Sequence, residues 1–176
     1  MQCSKKVLGM NKVAVITGSS GGVGRALVRT YLDDGYFVIG LDRQSSTQLI
    51  TESYSEITVN LLMFSKEGSY RDKCLHEIKG KLPERIKKLV VINNAAEQII
   101  KSVPEIEWED WESSLAINTL APFFLVQGLL EELKRSFGHV VNISSIHAKL
   151  TKAQFTCYAV SKAALDGLTR SLALEL

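Results

Sequence analysis

Lys12-Val13-Ala14-Val15-Ile16-Thr17-Gly18-Ser19-Ser20-Gly21-Gly22-Val23-Gly24 is the stretch whose reading decides the fold of this chain. It opens on a run that is apolar at each position from Val13 to Ile16, the pattern of a parallel strand covered on both faces. A turn of Gly and Ser follows. A helical pattern then runs from Gly22 to Asp34, and Gly35 closes it. A strand that runs through glycines into a helix is a place for a pyrophosphate. Gly18, Gly22 and Gly24 permit a tight turn and close backbone approach, and the helix start offers free N–H groups and the positive end of a dipole. The spacing is Gly-x-x-x-Gly-x-Gly, which differs from the commoner dinucleotide fingerprint.

The same rhythm continues outward. Apolar runs at Tyr36 to Leu41, Glu56 to Asn60, Lys88 to Asn93 and His139 to Ser144 predict strands. Helices are predicted at Ser65 to Lys81, ended by Pro83, at Trp108 to Ser136, and from Gln154 onward. Strands alternating with helices imply an α/β chain: a doubly wound, Rossmann-like parallel sheet in three layers. With 176 residues and no linker-like stretch, a single domain over residues 1–176 is expected. Asp42 lies at the end of the second strand, where a carboxylate can hold both ribose hydroxyls of an adenosine and repel a 2'-phosphate. Arg43 beside it could recruit that phosphate. The carboxylate argument favours NAD over NADP.

Composition narrows the partners. Hydrophobic residues make up 45% and charged residues 23%, which excludes a disordered chain, and the net charge of +2 comes from scattered Lys and Arg. No basic cluster suggests nucleic acid. Cys3, Cys74 and Cys157 are odd in number and unpatterned, and His76, His139 and His147 have no ligand spacing, so neither disulfide nor metal is indicated and a reducing, cytoplasmic setting is expected. Met1 to Met10 is too poor in apolar residues for a signal peptide, and no run suggests a membrane span.

Tyr158 and Lys162 stand four residues apart, on one face of the last predicted helix. A cation beside a phenol favours its ionised form, which suits a general acid or base. Such a pair arises easily by chance, so its context carries the argument. Together with the glycine turn it resembles the short-chain dehydrogenase/reductase family, and four more stretches agree: Asn93-Asn94-Ala95-Ala96, Asn118, Val141-Asn142-Ile143-Ser144-Ser145, and Asn60-Leu61. The resemblance runs from Lys12 to Leu176. It implies a cofactor held by Gly18, Ser20, Gly22, Val23, Gly24, Asp42, Asn60, Leu61, Asn94 and Ala95, with Tyr158 and Lys162. It also implies catalysis by Asn118, Ser145, Tyr158 and Lys162 on a small alcohol or carbonyl substrate. An oxygen that develops charge during hydride transfer needs a proton donor and a second hydrogen-bond donor, roles that fall to Tyr158 and Ser145. Pro122 removes the helix hydrogen bond to the Asn118 carbonyl, freeing that oxygen for a water. In the family the Asn holds a water that relays protons to the Lys.

The departures are Ala96 for Gly and Asn60 for the commoner Asp. His147 is read as a solvated loop residue, Trp108 and Trp111 as packing residues. The last helix is apolar over a broad face and reaches Glu175-Leu176 without a stop signal, which leads to the expectation of a chain shortened relative to the family, lacking its last strands and substrate cover. The fifth strand is then expected at an exposed edge. Family members commonly associate through helices, so a homodimer or homotetramer is expected. The competing reading is a catalytically inert nucleotide-binding protein, or a fragment of a longer dehydrogenase.

Overall fold

The computed structural model describes residues 11–44 and 51–176; the readings of Met1 to Met10 and of Cys3 fall outside them. Five strands form one parallel sheet in the order β3-β2-β1-β4-β5. They are β1 (Lys12–Thr17), β2 (Phe37–Asp42), β3 (Tyr54–Thr58), β4 (Lys88–Asn93) and β5 (His139–Asn142). The register pairs Val15 with Ile39 on one side and with Val91 on the other. The helices are α1 (Gly22–Asp33), α2 (Leu61–Lys66), α3 (Gly68–Lys81), α4 (Trp108–Leu115), α5 (Ala121–Gly128), α6 (Leu130–Arg135) and α7 (Thr156–Glu175). This is the doubly wound sheet that the alternation predicted.

The all-apolar runs are central for the expected reason. Val13 to Thr17 and Leu89 to Asn93 are buried throughout. Because successive side chains alternate faces, each strand feeds two cores. Ala14, Ile16, Val38, Val90 and Ile92 meet Leu27, Val28, Tyr31 and Leu32 of α1. Val13, Val15, Ile39, Leu89 and Val91 meet Phe64, Ile78, Leu125 and Leu129 on the opposite face. Strand order reverses between β1 and β4, and a crevice outside the strand ends at such a reversal is where doubly wound sheets bind ligands.

Several boundaries move from the predicted ones. The third strand begins at Tyr54 and ends at Thr58, and the fifth stops at Asn142. The helix predicted from Ser65 is two. Asn60 caps the first by accepting from Leu62 N at 3.0 Å and Met63 N at 3.3 Å, and extended backbone at Glu67 separates it from the second. The long helix from Trp108 contains a π turn at Ala116–Leu120, in which Ala121 N reaches back to Ala116 O. Pro122, in the first turn of α5, has no N–H to continue the ladder, and wide turns of this kind recur at functional sites. Trp108 is 73% exposed, so the packing role expected of it is not what the fold gives it, whereas Trp111 is half-buried. β5 lies at the sheet edge.

Candidate active site

The loop after β1 is fixed from three directions. Gly18 N donates to Leu41 O at the end of β2, at 2.7 Å. Thr17 Oγ1 accepts from both Asn94 N and Ala95 N at 3.0 Å. Asn94 Nδ2 donates back to Thr17 O at 3.0 Å and Gly18 O at 3.1 Å. The two loops at the strand-order reversal are thus laced together by one Thr and one Asn side chain. Gly18 sits at φ +66 with the space of its missing Cβ taken by Ala95 Cα at 2.9 Å, and a Cβ on Gly24 would overlap the Gly18 carbonyl. Ala96, the family Gly position, is not among the residues with positive φ, so its methyl group brings no backbone strain.

A cavity of about 790 Å³ opens above this turn. Gly18, Ser20, Gly22, Val23, Gly24, Asp42, Asn60, Leu61, Asn94 and Ala95, all expected to hold a cofactor, line it. Glu97, Gln98, Ser113 and Ile117 line it too, and sequence reasoning did not name them. The residues present fit a dinucleotide. Gly21, at the start of α1, makes no side-chain cap, which leaves the helix's first N–H groups to a ligand, and a Cβ at Gly22 would meet nothing within 4 Å. Asp42 accepts from Ser20 N at 2.9 Å through Oδ2 and from Gln44 N at 3.3 Å through Oδ1. Glu56 brings a second carboxylate within 3.4 Å of Ser20 Oγ.

Asn118, Ser145, Tyr158 and Lys162 lie outside the lining of that cavity. Asn118 is buried in the π turn, with its side chain fully engaged. Oδ1 accepts from Glu97 N at 2.8 Å, while Nδ2 donates to Glu97 O at 2.8 Å and to Ser161 Oγ at 2.9 Å. It therefore ties the segment after β4 to α7. Lys162 is 1% exposed and donates from Nζ to Ile143 O at 2.7 Å, with Nζ 5.9 Å from the Tyr158 ring centre. Burial pushes its pKa down to about 8, against a smaller upward pull from Asp166. Ser145 Oγ accepts from His147 N at 3.2 Å, so its own proton remains available to donate.

His147 is not simply solvated. Its ring stacks on Phe155 at 4.3 Å, meets Tyr158 edge-on at 5.9 Å, and shares a hydrogen bond with Thr151. Cys74 and Cys157 are free and buried, and burial raises both thiol pKa values. Among the described residues, no group of His, Cys, Asp and Glu could hold a metal ion, and no helix is long and apolar enough to cross a membrane.

A sequence model of the family described as short chain dehydrogenase matches residues 12–176. Human dehydrogenase/reductase SDR family member 4 is 32% identical over 173 residues, covering 94% of this chain and 61% of its own. An uncharacterized oxidoreductase from Thermotoga maritima is 30% identical over 176 residues, covering 94% of this chain and 65% of its own. The chain thus spans less than two thirds of the length of these relatives. A solved oxidoreductase of the short chain dehydrogenase/reductase family from Brucella ovis, in complex with a partially ordered NAD, superposes with a TM-score of 0.74 at 30% identity, covering 94% of this chain and 77% of that one.

Proposed function

The chain belongs to the short-chain dehydrogenase family, and from that membership we propose that it works as one nucleotide-binding and catalytic unit. In this reading it is an oxidoreductase that interconverts a secondary alcohol and a ketone. The observation that carries this is the buried Lys162 ammonium, held by Ile143 O one helical turn from Tyr158. A buried cation with no carboxylate in hydrogen-bond contact is costly and is rarely kept without use.

NAD, when bound, supplies or takes the hydride; the rest falls to side chains. Tyr158 gives its proton to the carbonyl oxygen in reduction and recovers it in oxidation. Ser145 donates the second hydrogen bond to that oxygen, while one of its lone pairs accepts from His147 N. Lys162, still largely protonated at neutral pH with its pKa near 8, keeps a positive charge one helical turn from the phenol. Asn118 and Ser161 position α7 against the loop after β4, and the carbonyl of Asn118 is the proposed seat of a proton-relay water. NAD is preferred to NADP because Asp42 and Glu56 place two carboxylates around Ser20, where a 2'-phosphate would be repelled.

The test is purified protein with NADH, then NADPH, and a panel of small ketones, followed by cofactor absorbance. Turnover with NADH that disappears in Tyr158→Phe supports the reading. Binding of NADH with no turnover on any ketone would favour the inert nucleotide-binding alternative, and folded protein that binds neither dinucleotide would remove both. Self-association into a dimer or tetramer, read by light scattering, belongs to the same proposal.

A further inference from the structure

The loop between β5 and α7 carries a charge pattern and a fixed imidazole that the proposed chemistry does not use. From Leu133 to Leu165 the chain contains no Asp or Glu, while Lys134, Arg135, Lys149, Lys152 and Lys162 all fall in that stretch. Ser145 and Tyr158 lie within it. Against these cations the segment after β4 sets Glu97, and also Asp110, which is already paired with Lys101 at 2.7 Å. A site walled by one sign of charge concentrates ligands of the opposite sign.

Phe155 gathers two of the basic groups beside Tyr158. Its buried ring stacks on His147 with centroids 4.3 Å apart, carries Lys152 Nζ 4.7 Å from its centre, and meets Tyr158 edge-on at 6.3 Å. His147 in turn meets the Tyr158 ring at 5.9 Å, and its main-chain N reaches Ser145 Oγ at 3.2 Å. The imidazole is thus held against both groups that would grip the reacting oxygen. Its Nδ1 bonds Thr151 Oγ1 at 3.2 Å, and among the described residues no hydrogen bond engages Nε2. A Thr hydroxyl can donate or accept, so Nε2 is able to carry a proton and donate it.

We propose that the substrate is a short oxo acid, and that His147 Nε2 and the Lys152 ammonium are the specificity-determining groups that receive its carboxylate. The inference rests on the reading of Ser145 and Tyr158 as the groups that hold the substrate carbonyl. In reduction the ketone carbon takes the hydride from NADH and its oxygen takes the Tyr158 proton, which gives a hydroxy acid with the carboxylate unchanged. A neutral ketone of the same length can occupy the same oxygen site but forgoes a charge-assisted hydrogen bond.

The experiment measures kcat and KM on the full chain with NADH, using 2-oxobutanoate and 3-oxobutanoate, each against its methyl ester. At least one acid should exceed its ester by about 30-fold in kcat/KM, mostly through KM, the scale of one hydrogen bond to a charged group. His147→Phe keeps an aromatic ring against Phe155 without the nitrogens, and Lys152→Met keeps the stem without the charge. Each should cut the acid-to-ester ratio several-fold, and the double variant should abolish it. Thermal melts and NADH titration check that each variant folds and holds cofactor. Should His147→Phe fail to fold, Lys152→Met, at an exposed position, carries the test by itself. Turnover by the unsubstituted protein with no preference for either acid, or a preference that survives the substitutions, overturns the inference and leaves the dehydrogenase reading standing. NADH binding without turnover of acids, esters or neutral ketones overturns that reading and the inference with it.

Discussion

The proposed nucleotide half and the proposed catalytic half of the site are built in opposite ways. Around the β1–β4 reversal each loop is tied to its neighbour within a few residues of a strand end, through Thr17, Asn94, Gly18 and Asp42. The catalytic half rests on elements distant in sequence: Lys162 on α7 reaches Ile143 after β5, and Ser161 reaches Asn118 in the π turn. Its surroundings are also more open. Val141 is 39% exposed, Val160 45% and Ile146 69%, whereas the central strands are closed. The difference teaches that a phosphate cradle is a local backbone device, while an acid–base site needs packing to place a charge out of water.

That contrast can be broken experimentally. The largest effect is expected from Tyr158→Phe, which should lower kcat/KM by about 10³-fold while leaving NADH affinity within about twofold, because it removes a proton donor and nothing from the cradle. A matching loss of NADH binding in titration would show that the halves are not separable. Gly24→Ala attacks the other half: the added methyl group meets the Gly18 carbonyl, so a loss of roughly 3 kcal/mol in denaturant unfolding and of NADH binding is expected.

Lys162 sharpens the comparison through pH. Its folded pKa, about 8, lies below the ordinary 10.5, so between these values the unfolded chain binds more protons and stability rises with pH. Below pH 8 the burial penalty is complete. Unfolding free energy of the ligand-free protein should therefore climb by up to about 3 kcal/mol across that window, and the climb should be missing in Lys162→Met. An equal climb in the variant would assign the titration to another group. The smallest effect is expected from Thr17→Val, which strands the N–H groups of Asn94 and Ala95. A loss of about 2 kcal/mol in stability is predicted, with weaker NADH binding by calorimetry. Unchanged binding would mean that the loops hold their shape without this lacing.

The parallel strands were legible because burial on both faces demands apolar residues at consecutive positions, as in Val13-Ala14-Val15-Ile16 and Leu89-Val90-Val91-Ile92. The glycine turn was legible because backbone geometry limits which residues can stand there. The π turn was not. Its five residues, Ala-Ile-Asn-Thr-Leu, are compatible with an ordinary helix, and only Pro122 hinted at a break. Asn60, expected to touch the cofactor, lines the cavity and also caps α2, a second role that the sequence reading did not name. Glu97 gave no signal at all, because a lone Glu after a strand is most often a solvated charge.

From its sequence alone this chain was readable as a doubly wound α/β protein with a pyrophosphate turn, a ribose carboxylate and a Tyr–Lys pair one helical turn apart. Those features are encoded within single elements, where spacing alone decides geometry. Tertiary structure decided the rest. It buried the Lys162 ammonium against Ile143 O and gave Asn118 the role of a clamp between Glu97 and Ser161. Each of these depends on which distant segments meet, and desolvation acts only once they have met.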